Sequence, residues 1–133
     1  MDKVNKIKQE IFYQVNIYLK ELGEFSPFGV KMIGDEIKSV SYYYENKNDD
    51  ETEELDSNLM ISVISENISK AIKKGEVELG AIAYSVLIKD YKHQNEVMEK
   101  IDALCIKYTL DGDNWKEEFY PYRLKDGKYV WGL

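Results

Sequence analysis

The chain is poor in the residues on which most site chemistry depends. Its 133 residues include one cysteine, Cys105, one histidine, His93, one arginine, Arg123, and two prolines. A lone cysteine excludes an internal disulfide and suits a reducing compartment. One histidine leaves a zinc site short of the several nitrogen or sulfur ligands it needs. One arginine in a chain of net charge −7 argues against non-specific nucleic-acid binding, which depends on clustered basic groups. No apolar run reaches the roughly 18 residues of a membrane-spanning helix. The opening Met-Asp-Lys-Val-Asn-Lys-Ile-Lys has no apolar stretch behind it, unlike a signal peptide. A cytoplasmic location is therefore expected. Glycine-rich phosphate loops and serine nucleophile motifs are missing from the sequence. The expectation is no cofactor, no metal, no nucleic-acid partner and no membrane partner.

What is present is tyrosine and a concentrated negative charge. Eleven tyrosines outnumber the four phenylalanines and two tryptophans together. Tyrosine suits half-buried positions, where the ring meets apolar atoms and the hydroxyl finds a polar partner. Residues 45–56 hold seven acids and one lysine, a local charge of −6, so the other residues are nearly neutral. The field of the molecule thus comes mostly from one segment.

Hydrophobic periodicity predicts an α+β fold on a single domain, residues 1–133. Val4, Ile7, Ile11, Val15, Tyr18 and Leu22 recur at helical spacing, which predicts a helix over 2–22 with Asp2 as its cap and Gly23 as its stop. A β-hairpin is predicted from strands at 30–33 and 37–45 around Gly34-Asp35-Glu36. Ile61, Ile64, Ile68 and Ile72 predict a second helix over 57–74, ended by Gly75. Strands at 76–90, 98–110, 115–122 and 128–131 follow, with hairpin signals at Asp111-Gly112-Asp113-Asn114 and Lys125-Asp126-Gly127. Pro121 places its strand at an edge or near a turn. The predicted order is α-β-β-α-β-β-β-β: an antiparallel, curved sheet of about six strands with two helices on one face.

The central strands are apolar on both faces. One face of the strand from 77 carries Val77, Leu79, Ala81, Ala83 and Leu87; the other carries Gly80, Ile82, Tyr84, Val86 and Ile88. With both helices on one side, something must cover the second. The sheet can curl round an apolar pocket, with Tyr84, Tyr108, Trp115 and Arg123 as wall residues. A second copy can pack on it, giving a homodimer. A different protein can supply the cover. Alternatively, the helices and sheet curvature hide most of it. Tyr42, Tyr43 and Tyr44 end the second strand, and tyrosine is enriched where surfaces bind partners, although it also favours strands in general. Asp49, Asp50, Glu51, Glu53 and Glu54 can steer a basic partner. They also offer oxygen ligands to Ca²⁺, but the EF-hand spacing with its mid-loop glycine is absent, and a solvated loop is the plainer reading. Cys105 lies mid-strand among apolar residues, where cysteine is ordinarily inert packing.

Phe25-Ser26-Pro27-Phe28-Gly29 leading into a hairpin, with Pro121-Tyr122 near the end of the meander, resembles a group of small, mostly uncharacterised bacterial proteins. The resemblance covers nearly the whole chain and implies no activity. In size and acidity the chain also resembles immunity proteins, which neutralise basic nuclease toxins. Its layout is similar to cone-shaped NTF2-like or cystatin-like folds, which dimerise through the sheet or hold a ligand inside it. These features lead to the expectation of a non-enzymatic interaction protein, of the immunity type in its sharpest form, that binds a basic protein. The alternative is a small-ligand-binding or enzymatic domain with a pocket in the curved sheet.

Overall fold

The computed structural model describes residues 2–40, 57–93 and 96–131, with the backbone only at 57, 90–93 and 96–99. Helix α1 spans Lys3–Leu22 and helix α2 spans Ser57–Lys73. The strands are β1 (Phe28–Ile33), β2 (Glu36–Val40), β3 (Leu79–His93), β4 (Glu96–Thr109), β5 (Trp115–Lys125) and β6 (Lys128–Trp131). They form one antiparallel, curved sheet in the order β2-β1-β3-β4-β5-β6. Class, helix count and element order are those the sequence predicts.

Local chemistry sets the element ends. The Asp2 carboxylate accepts the Asn5 amide at 2.8 Å and satisfies one of the free N–H groups at the start of α1. Gly23 closes α1 in the left-handed conformation, with φ 77° and its N–H on the Leu19 carbonyl. Between β5 and β6, Asp126 and Gly127 both take positive φ, the geometry that lets a two-residue turn follow the twist of its strands.

The placement of the helices corrects one expectation. The two do not share a face. In the register of β1 with β3, Phe28 faces Ala83, Val30 faces Ala81 and Met32 faces Leu79. These side chains join Ile7, Ile11, Val15 and Leu19 of α1, together with Leu104, Ile106, Tyr108 and Tyr122, in the larger core. The alternate positions, Gly29, Gly80 and Ile82, meet Ile64 and Ile68 of α2 on the opposite side. Side chains alternate across a strand, so the two sets cannot share a face. The sheet is apolar on both sides because each side receives a helix.

The two helices are held differently. Four fully or nearly fully buried residues of α1 contribute on the order of 1.5–3 kcal/mol each in apolar burial. Helix α2 buries Met60, Ile64, Ile68 and Ala71, and among the described residues Ile64 and Ile68 join Ile82 in a smaller cluster, with Val40, Ile72, Tyr84 and Trp115 packed round it. Glycine makes this contact possible. A β-carbon on Gly80 would lie 2.2 Å from Ile68 Cγ2, and one on Gly29 would lie 2.6 Å from Ile64 Cγ2. The C-terminal half of α2 is also tied to the β4–β5 turn, where Ser69 donates to the Gly112 carbonyl and Lys73 pairs with Asp113.

Candidate functional site

The α2 side of the sheet extends beyond the area the buried isoleucines cover. Register places Tyr84, Cys105 and Phe119 in one row across β3, β4 and β5. Two strand spacings separate Tyr84 from Phe119, about 10 Å. Cys105 between them is fully buried, Tyr84 is half-buried, and Phe119 is 49% exposed. The row is thus a pair of rings flanking a low centre. On one side of it lie Lys107 and Glu117, paired at 3.8 Å. On the other lie Val86, Ala103 and Pro121, again in register.

Burial raises the titration of the Tyr84 hydroxyl, and its hydrogen bond with Cys105 raises it further. Burial likewise pushes the Cys105 thiol upward. Both groups are therefore neutral near pH 7. A protonated, buried thiol is a poor nucleophile, so this pair has a packing role.

An open recess of about 170 Å³ adjoins Tyr84. Phe25, Pro27, Asn58, Ile61, Tyr84, Ser85 and Val86 line it. It lies where β1 begins, at Phe28 opposite Ala83, whereas β3 runs on to His93. Phe25 and Pro27, just before β1, and Asn58 and Ile61 of α2 form its other walls. Sites for drug-sized ligands typically measure about 300–1,000 Å³. The recess is smaller and is not enclosed.

The sequence-predicted pocket residues are divided between the two faces. Tyr84 and Trp115 both pack around the α2 cluster. Arg123 is exposed on β5, opposite Val130, on the same side of the sheet as Phe119 by alternation. Tyr108 belongs to the larger core beneath α1, with Lys8 Nζ 5.1 Å from its ring centre. Only Tyr84 lines the recess. Tyr42, Tyr43, Tyr44, Asp49, Asp50, Glu51, Glu53 and Glu54 lie outside the described residues.

Phe119, Val86, Ile61, Phe25 and Pro27 are surface-forming residues that the sequence reading did not assign to a site. Phe119 had a signal: it alternates with the buried Tyr122 set, so it must point away from α1. The recess had none, because it depends on β3 running on past Ala83, opposite the start of β1.

Among the described residues, no group of three or more histidine, cysteine, aspartate or glutamate side chains is placed to hold a metal ion. No described helix is long and apolar enough to cross a membrane. Comparison with protein-family models, curated proteins and solved structures finds no match for this chain.

Proposed function

We propose that this chain is a non-enzymatic interaction module for a basic protein, and in its sharpest form an inhibitor of the immunity type. The observation that carries the reading is the half-exposed Phe119 across a sunken Cys105 from Tyr84, with a small recess of mixed polarity beside them. Interfaces draw most of their energy from a few central aromatic anchors set among near-neutral contacts. The charge supports the same reading. Residues 45–56 carry −6 and lead directly into α2, whose Asn58 stands on the rim of the recess. Concentrated charge of one sign raises association rates and selects cationic partners.

A panel of basic proteins, with acidic proteins as controls, tests this by calorimetry at low and high salt. The expected result is at least one basic protein whose affinity falls steeply with salt and drops by about 10–100-fold in Phe119→Ser, the loss of one buried aromatic anchor. Binding that ignores both salt and the Phe119 change, or no preference for basic proteins, would contradict it.

A further inference from the structure

The β5–β6 hairpin gathers positive charge on one of its faces. Alternation along β5 puts Pro121, Arg123 and Lys125 on the α2 side of the sheet, with Trp115 and Phe119. Register adds Val130 opposite Arg123, and Lys128 opposite Lys125. Arg123, Lys125 and Lys128 are exposed, and Val130 beside them is 37% exposed. Among the described residues, α2 packs on β5 only at Trp115, the other end of the strand. Seven described lysines pair with an acid. Among the described residues, Arg123, Lys125 and Lys128 have no such partner. The acids of β5 are taken elsewhere: Glu118 meets Lys8 on the α1 side, and Glu117 pairs with Lys107. Lys125 and Lys128 are direct cross-strand partners, and like charges so placed oppose each other. Two residues along a strand rise about 7 Å, so Arg123 stands within the roughly 8 Å screening length of physiological salt. None of the three belongs to a core cluster, so packing does not explain their grouping.

We propose that this face of the β5–β6 hairpin binds an acidic peptide segment of another protein. Carboxylates of that segment meet Arg123, Lys125 and Lys128, and one apolar side chain rests on Val130 and Pro121. Charge complementarity chooses the occupant. A carboxylate placed among three clustered cations is attracted by all of them and relieves the opposition of Lys125 and Lys128. The planar guanidinium of Arg123 can hold a carboxylate through two parallel hydrogen bonds. A nucleic acid fits less well. The net charge of −7 repels a long polyanion, and Phe119 is the one exposed ring among the described residues of this face. Single-strand platforms stack successive bases on several rings. The proposal goes beyond the basic-protein reading and does not rest on it. Phe119, the anchor of that reading, lies four residues from Arg123, roughly 14 Å along the strand and beyond the screening length.

The probe is a short acetylated, amidated peptide of glutamate and serine with one central leucine. Its control has glutamine in place of each glutamate. Binding to the full chain is followed residue by residue by NMR titration at low salt. The acidic peptide is expected to shift the amides of residues 123–130 and to bind at least ~10-fold more tightly than the glutamine peptide, the sum of several modest surface charge pairs. A variant carrying Arg123→Gln, Lys125→Gln and Lys128→Gln should bind it ~10-fold or more weakly for the same reason. A second variant, with Lys20→Gln, Lys74→Gln and Lys116→Gln, loses the same charge at exposed positions off this face. It should keep the parent affinity within ~3-fold, because distant exposed charges are screened. Phe119→Ser should keep the peptide too, although it is the change that weakens a basic protein, so the two readings fail separately. Equal losses in the two triple variants would mean that the peptide senses net charge alone, and would overturn the proposal. So would loss of the peptide in Phe119→Ser, shifts centred away from the hairpin, or no binding at millimolar peptide. A single-stranded oligonucleotide that shifts the same amides and displaces the peptide would make nucleic acid the occupant and overturn it. Self-association of the parent that blocks the peptide and is lost in the first triple variant would assign the face to a second copy instead.

Discussion

Gly80 and Gly29 show how much of this fold turns on absent atoms. Glycine inside a strand forfeits packing and gains nothing unless something approaches closely. Here Ile68 and Ile64 occupy the space the missing side chains leave. Gly80→Ala would require the body of the Ile68 side chain to move, because its Cγ2, Cβ and Cγ1 atoms all lie within 3.4 Å of the new carbon. A loss of about 1–3 kcal/mol is expected, the usual cost of overpacking a core. Ile68→Ala alone should cost about 2–5 kcal/mol. The two changes relieve each other, so the double variant should be more stable than the sum of the singles, as denaturant melts would measure. Additive losses would mean that α2 does not sit on this glycine.

Two carboxylates make the fold sensitive to acid. Asp111 accepts the Asn114 amide, the Asn114 side chain and the Asp113 amide, and these bonds hold its carboxyl well below the ordinary range. Glu118 is lowered by its bond with Lys8 and then by that with the Tyr120 hydroxyl. Both groups bind protons less readily folded than unfolded. Their stabilisation is therefore complete above the unfolded values of about 4 and is lost as pH falls through the lower folded ones. Tm should fall more steeply below about pH 4 in the parent than in an Asp111→Asn, Glu118→Gln double variant, because only the parent has these protons to take up. Parallel Tm curves would contradict the assignment.

At the level of elements, α1 and α2 have similar lengths and unequal support. Helix α1 spreads over a core that reaches from Met32 to Tyr122, and its Phe12 ring stands edge-on to both Tyr120 and Trp131. Helix α2 buries Met60, Ile64, Ile68 and Ala71, but among the described residues it packs on a smaller cluster, with added ties from Asn67 to Lys31 and to the turn at Gly112. The central amides of α2 are expected to exchange faster than those of α1 under native conditions, since an element resting on the smaller core opens more readily. Equal protection would mean that the two helices open together. The elements themselves were legible in the sequence. Helical spacing, Asp2, Gly23 and the Asp-Gly turns located both helices and the last hairpins closely. Apolar residues on both sides of β3 were also visible. Their consequence was not, because periodicity reports how much of a strand is buried and says nothing of which element buries it. Gly29 and Gly80 were the local clue that a helix rides directly on that second face. Of the candidate surface, Tyr84 was legible and the recess was not, since it depends on where β1 begins relative to β3.

Over the whole molecule, charge is unevenly distributed along the chain. The described residues tie many of their lysines into pairs with nearby acids, such as Lys3 with Glu78 and Lys107 with Glu117. The run at 45–56 holds nearly all of the net charge. If a basic partner reaches Phe119 and the recess under the pull of that run, the run sets the rate of encounter and the apolar contacts set the lifetime. The most direct measurement is the association rate of a basic partner from the panel, recorded against ionic strength. It compares the parent with a variant carrying Asp49→Asn, Asp50→Asn, Glu51→Gln, Glu53→Gln and Glu54→Gln. The parent rate should fall steeply with added salt, and the variant should start at least ~10-fold slower and respond weakly, while both dissociate at similar rates. Equal association rates with equal salt dependence would contradict the claim that this acidic run steers a basic protein onto the surface.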